Sequence, residues 1–311
     1  MHIETHQIEQ KPHSLDEAFT YCASITNAHY ENFPVASLFL PQEKRPYIQA
    51  IYAFSRIADD FADELQVPQH ERLLKLNDWE NKLRLCYEGV VDHPVFIALK
   101  ETIKRQDIPI DPLRDLIIAF KQDVVQNRYE TFEDLLSYCQ CSANPVGRLV
   151  LMIFGHRDEK LLKLSDNICT ALQLANFWQD IAIDRQKDRL YIPLEDMRKF
   201  NYSGECWSDG VVDDNFRKLM QLQVRRTRDL FYQGAELPSL VERDLQLELR
   251  LVWFGGMLIL RKLEKINFDV FRYRTTLKTF NKIMILLRGL MYNDLRTYGK
   301  KRQREEPWDL T

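Results

Sequence analysis

Four aspartates at helical spacing carry the first hint of chemistry. Asp59 and Asp63 lie four residues apart in Tyr52-Ala-Phe-Ser-Arg-Ile-Ala-Asp-Asp-Phe-Ala-Asp63. At ~100° per residue they share one helix face, with Tyr52 and Ile48 on the same side. Asp60 and Glu64 turn away, toward the solvated side. Alone, such a pair is more often a charged helix surface than a site. A second segment, Gln173-Leu-Ala-Asn176-Phe-Trp-Gln-Asp180-Ile-Ala-Ile-Asp184, changes that weighting. Gln173, Asn176, Asp180 and Asp184 fall in an ~80° stripe. Leu172, Leu174, Ala175, Trp178, Ile181, Ala182 and Ile183 cover the other faces, and a helix apolar on every other side is normally buried. Carboxylates there need compensation, because a buried unpaired charge is costly. Hard divalent cations are the simplest partners. Mg²⁺, or Mn²⁺ on the same oxygen donors, takes carboxylates and commonly completes its shell with substrate phosphates. The competing reading is an internal ion-pair network with Arg56 or Arg185.

The elements that must position these groups read as helices. The 311 residues contain only 10 Gly and 12 Pro, so tight turns are few and sandwiches, barrels and doubly wound sheets are disfavoured. Ser14 with Glu17 reads as a capping box. Pro41 precedes a long segment from Gln42 to Leu65. Asp111-Pro112 places an N-cap before a proline at the first helical position, opening a helix toward Asn127. Thr131 with Asp134 opens another, and Ser165 begins a long helix reaching about Asp184. Residues 201–215 read as the clearest long loop, followed by two or three helices ending near Tyr298. The expectation is one all-α domain over 14–298, with a loose start (1–13) and a charged tail (299–311).

Composition excludes several classes. Apolar residues make up 45% and charged residues 29%, enough for a core and against whole-chain disorder. The net charge of −3 offers no basic field for nucleic acid. The longest apolar run, Leu251 to Leu260, is too short to span a bilayer. It reads equally as tunnel lining or as core. No signal-peptide apolar segment appears at the start. Cys22, Cys86, Cys139, Cys141, Cys169 and Cys206 form no CxxC pair, which suggests a reducing, cytoplasmic setting. GxGxxG, GxxxxGK[ST], HExxH and GxSxG are all absent.

DDFAD (59–63), QLANFWQDIAID (173–184) and RLYIP (189–193) resemble the aspartate-rich motifs of the squalene/phytoene synthase family. The resemblance spans roughly residues 15–290. Tyr52-Ala-Phe-Ser-Arg56 matches the family's YAFxR. Arg128-Tyr129-x-Thr131, Leu135, Tyr138 and Ala143-Asn-Pro-Val146-Gly147 are similar to its central helices. The segment His29-Tyr-Glu-Asn-Phe-Pro-Val-Ala-Ser37 and the run Ser142-Ala-Asn-Pro-Val-Gly-Arg-Leu149 resemble the bacterial hydroxysqualene synthases within it. Two positions depart from the pattern. Phytoene and squalene synthases usually carry Arg before the first Asp of the second motif and Glu before the last, where this chain has Gln179 and Ile183.

The resemblance implies an isoprenoid-synthase helical bundle around a central cavity. It also implies a carbon–oxygen lyase that turns presqualene diphosphate and water into hydroxysqualene and diphosphate, in hopanoid biosynthesis. On that reading Asp59, Asp63, Asp180 and Asp184 hold the ions. Asn176 is a neutral ligand, and Gln173 faces the carbocation. Arg56, Arg185 and Arg189 contact phosphate. Tyr52, Tyr129 and Phe33 offer aromatic faces to the cation, and Asn32 and Tyr191 complete the substrate set. Trp178 points away from the stripe and reads as core. Water quenches the cation, so no NADPH is expected. An apolar product implies peripheral contact with the inner leaflet of a membrane and proximity to enzymes of the same pathway. Alternatives are head-to-head condensation of farnesyl diphosphate to presqualene diphosphate or of geranylgeranyl diphosphate to phytoene, a catalytically lapsed assembly factor, and an unrelated class I terpene cyclase.

Overall fold

The computed structural model describes residues 14–28, 41–63, 66–292 and 294–296. Asn32, Phe33, Glu64, the expected loose start and the charged tail lie outside the described residues. Of the described residues, 76% are helical. The one backbone bridge among them pairs Arg128 with Leu190. The all-α expectation therefore holds.

The helices run α1 (Leu15–Ala28), α2 (Arg45–Asp63), α3 (Gln69–Tyr87), α4 (Pro94–Gln106), α5 (Ile110–Val125), α6 (Phe132–Ser142), α7 (Asn144–Ile153), α8 (Glu159–Gln186), α9 (Leu194–Lys199), α10 (Gly204–Asp209), α11 (Asp214–Gly234), α12 (Arg243–Lys265) and α13 (Thr279–Met291). Two capping boxes form as the residue types require: Ser14 with Glu17, and Thr131 with Asp134.

Three boundaries differ from the sequence expectation. α5 starts at Ile110 after Pro109, and Asp111 sits inside its first turn, paired with Arg114. α8 starts six residues before Ser165, because the Asp158 side chain caps the amides of Lys160 and Leu161. Ser165 is a buried interior residue. The 201–215 segment contains α10, capped by Ser203 and closed by Gly210 at φ 67°.

The two carboxylate helices are α2 and α8, and other helices hold them apart. α2 packs on α1, α3, α4 and α5, while α8 packs on α11, α7, α12 and α6. α5 and α7 touch each other and link the two sides. The α7–α8 contact is close because Gly147 faces α8, where a Cβ would collide with Ser165 Oγ and Cys169 Sγ. Thr170 donates to Asn144 Oδ1 at 2.8 Å, and Arg148 grips Asp166 across the same seam. The 251–260 run is core on α12: Trp253, Phe254 and Leu260 are buried, and Gly256 lies against the Phe231 ring. Trp178 is also core, donating from Nε1 to Thr227 Oγ1 at 2.8 Å.

Candidate functional site

A cavity of about 230 Å³ opens between α2, α5 and α7. Tyr52, Ser55, Arg56 and Asp59 give it a polar wall on α2. Ile48, Ile51, Phe120, Val146, Leu149, Val150 and Ile153 make the rest apolar. Of the helical face read from the sequence, Ile48, Tyr52 and Asp59 line the cavity, whereas Asp63 does not. Asp60 is turned aside onto Arg56 Nη2 at 2.5 Å, while Arg56 Nη1 stands 3.4 Å from Asp59. None of residues 251–260 lines this cavity.

On α8 the residues flanking the stripe are buried, including Leu174, Ala175, Phe177, Trp178, Gln179 and Ile181. The stripe itself stays open: Asn176 is exposed, and Gln173, Asp180 and Asp184 are half-buried. Ile183, at the position where the family usually has Glu, is 37% exposed. Gln179 is buried, with Nε2 unbonded.

The chain after α8 folds back onto α2. Asp188 takes a left-handed conformation at φ 55°, and the Arg189 amide then bonds the Asp184 carbonyl at 2.8 Å. Leu190 N and Leu194 N bond the carbonyls of Asn127 and Tyr129. Arg128 clamps the Asp188 carboxylate. This turn delivers the Arg189 guanidinium to both oxygens of Asp63. Burial raises the Asp63 carboxyl, but Arg189 and then Lys187 more than offset it and hold the acid below its usual range. Asp184 has no such partner. Burial first, then the charge of Asp180, pushes it up to about 7 against the pull of Arg189 and Lys187.

Asp180 is held by Arg274 from the loop before α13, with Nε 2.7 Å from Oδ1 and Nη2 3.2 Å from Oδ2. An ion-pair network therefore exists, as the competing reading held, but its long-range partners are Arg189 and Arg274. Arg185 does not join it. Its guanidinium bonds the carbonyls of Trp207 and Ser208 and lies over the Phe271 ring.

The expected aromatic residues separate into two groups. Tyr52 lines the cavity. Tyr129 is fully buried and joins Tyr138, Tyr191 and Phe177 in a stack, where Phe177 and Tyr191 lie 3.7 Å apart and nearly parallel. Tyr191 is half-buried and packs beside Arg189 in sequence and space. In this cluster sits Asp123 of α5, which the sequence reading missed. It accepts from the Tyr138 hydroxyl at 2.8 Å, while its Oδ1 is buried without a partner. Burial pushes its carboxyl up to about 7, although the Tyr138 hydrogen bond and Arg189 pull it down. One signal was available: an acid in the last turn of a helix opposes the helix dipole, and that turn carries no basic residue. Arg274 lay in a loop without periodicity and offered none.

No three carboxylate, histidine or cysteine side chains stand close enough among the described residues to enclose a metal by themselves. The donors nevertheless fit Mg²⁺. They are carboxylates from two helices, the charges of Asp180 and Asp63 both bear on Asp184, and Mg²⁺ ordinarily leaves much of its shell to water and substrate phosphate.

Comparison with known proteins finds relatives over most of the chain. The profile described as squalene/phytoene synthase matches residues 26–281. The 15-cis-phytoene synthase of Synechococcus elongatus is 33% identical over 88% of this chain and 92% of its own length. The hydroxysqualene synthase of Zymomonas mobilis is 40% identical, but over 54% of this chain and 56% of its own. The crystal structure of squalene synthase HpnC from Alicyclobacillus acidocaldarius superposes with a TM-score of 0.78 at 39% identity, covering 82% of this chain and 95% of that one. With the Asp59 face of α2 lining an apolar cavity, and a match across most of its length, the chain belongs to the squalene/phytoene synthase family.

Proposed function

We propose that this protein converts presqualene diphosphate and water into hydroxysqualene and diphosphate. The observation that carries the reading is the cavity on α2, with Arg56 and Asp59 on its polar wall and apolar side chains on the rest. That is the shape of a site for a diphosphate on a long hydrocarbon. Asp59, Asp63, Asp180 and Asp184, with Asn176, would hold Mg²⁺, which supplies positive charge to the departing diphosphate. Arg56 and Arg189 stand beside the acids and suit the phosphate oxygens. Tyr52 presents an aromatic face to the carbocation, and the apolar walls exclude all but the quenching water. Gln179 and Ile183 depart from the charged pattern of the condensing enzymes, which favours ionising a C30 diphosphate already made. Water ends the reaction, so NADPH has no role in it.

A second reading has an observation of its own. The phytoene synthase match covers more of the chain than the hydroxysqualene synthase match. That favours head-to-head condensation of two allylic diphosphates. One experiment separates the two: incubation with Mg²⁺ and presqualene, farnesyl or geranylgeranyl diphosphate, without NADPH, in H₂¹⁸O. The first reading expects a labelled C30 alcohol from presqualene diphosphate. Consumption of farnesyl or geranylgeranyl diphosphate with presqualene diphosphate untouched overturns it. Loss of turnover on every substrate would assign the chain to the lapsed, non-enzymatic relatives.

A further inference from the structure

α13 turns an apolar stripe outward. Phe280, Ile283, Leu287, Leu290 and Met291 fall within ~100° of one another around the helix, and Phe280 and Met291 are 71% and 72% exposed. The opposite side is the packed one: Ile285 and Gly289 are buried, and a Cβ on Gly289 would meet Leu251 Cδ2 at 2.8 Å. α13 is thus seated on α12 by its narrow face, and its broad apolar face is left bare. No other helix among the described residues exposes more than two large apolar side chains.

The segment that carries the stripe is basic, with Asp269 and Asp294 just outside it. Residues 270–292 include Arg272, Arg274, Lys278, Lys282 and Arg288 and no Asp or Glu, in a chain whose net charge is −3. Tyr273 in the preceding loop and Tyr292 just after the helix, both exposed, add side chains with an apolar body and a polar tip. A second copy docking on the same stripe by two-fold symmetry would bring basic segment against basic segment. An anionic lipid headgroup layer matches both features, taking the apolar side chains below it and the cations at its surface.

We propose that the exposed face of α13 docks the protein on an anionic lipid bilayer. The loop entering this helix is the one whose Arg274 holds Asp180, so the docked element begins five residues in sequence from a candidate site contact. An apolar product released there has a short path to the bilayer. Docking itself does not depend on which isoprenoid diphosphate the site takes.

The test is flotation of the 311-residue chain with vesicles of phosphatidylcholine, alone or mixed with phosphatidylglycerol, at low and high salt. The unsubstituted chain floats with the anionic vesicles, does not float with the neutral ones, and binds less at high salt. Leu287→Asp with Leu290→Asp, and separately Lys278→Glu with Arg288→Glu, each weaken binding ~10-fold or more with helicity by circular dichroism unchanged. Absence of flotation, equal flotation on neutral vesicles, or survival of binding in either double variant overturns the proposal. So does a dimer on gel filtration that the Leu287→Asp, Leu290→Asp pair splits, which would give the stripe to a second copy. Binding is read without turnover, so failure of the reaction proposed above leaves this result independent.

Discussion

Arg274 holds Asp180 with two guanidinium nitrogens, at 2.7 and 3.2 Å, and so occupies a carboxylate of the proposed Mg²⁺ set. The pair is partly exposed, with Arg274 at 50% and Asp180 at 30%, so its net strength is at most ~1 kcal/mol. Arg274→Gln should therefore tighten Mg²⁺ binding in the substrate-free protein by about 2- to 5-fold. Isothermal titration with Mg²⁺ reads this directly, and unchanged or weaker affinity would show that Arg274 does not compete for Asp180.

Asp59 lines the cavity whereas Asp60 is turned onto Arg56. Asp59→Asn and Asp180→Asn should each lower turnover at saturating Mg²⁺ by more than ~100-fold, as expected for loss of a strong electrostatic element. Asp60→Asn should be milder. Equal rates for the three variants would mean that the cavity-facing assignment is wrong.

Asp63 and Arg189 form a two-point ion pair with side chains only 20% and 13% exposed. Removing one partner leaves the other charge half-desolvated, so Arg189→Met should destabilise the fold by roughly 2–4 kcal/mol. Adding Asp63→Asn should restore part of that loss, because the orphaned carboxylate goes with it. Urea unfolding of both variants and the double variant checks the sign of this coupling.

The Asp123 carboxyl titrates near 7 in the fold, against an ordinary value of 3.8. An acid raised in the folded state contributes its stability fully below the unfolded value and loses it as pH rises through the folded one. The window is therefore about pH 4 to 7. Asp123→Asn should match the unsubstituted protein near pH 4 and exceed it near pH 8 by roughly 2–4 kcal/mol, since burial and not attraction dominates the shift. Chemical denaturation at the two pH values, without Mg²⁺, measures it. A variant less stable at pH 8 than the parent would mean that the charged carboxylate is well compensated in the fold.

Much of the site was legible along the chain. The spacing of Asp59 and Asp63, and the stripe of Gln173, Asn176, Asp180 and Asp184, follow from the 3.6-residue turn, which is a local property. The capping boxes at Ser14 and Thr131 are equally local, each closing within three residues. The burial of Trp178 followed from its angle on the same helix. Helix starts were less legible where a different residue could cap: Asp158 lengthened α8, and Ser165 became an interior packing residue.

What the tertiary structure decided was the company these residues keep. Asp63 meets Arg189 across 126 positions of chain, and Asp180 meets Arg274 across 94. Arg185, adjacent to Asp184, turns instead to Phe271 and the Trp207 carbonyl. Asp123 became a buried acid only because the Tyr129–Tyr138–Tyr191 stack closes around the end of α5. Sequence by itself determined which side chains share a face, because a helix sets that angle residue by residue. It could not determine which charges neutralise one another, because that depends on where α2, α5, α8 and the loop before α13 come to rest in space.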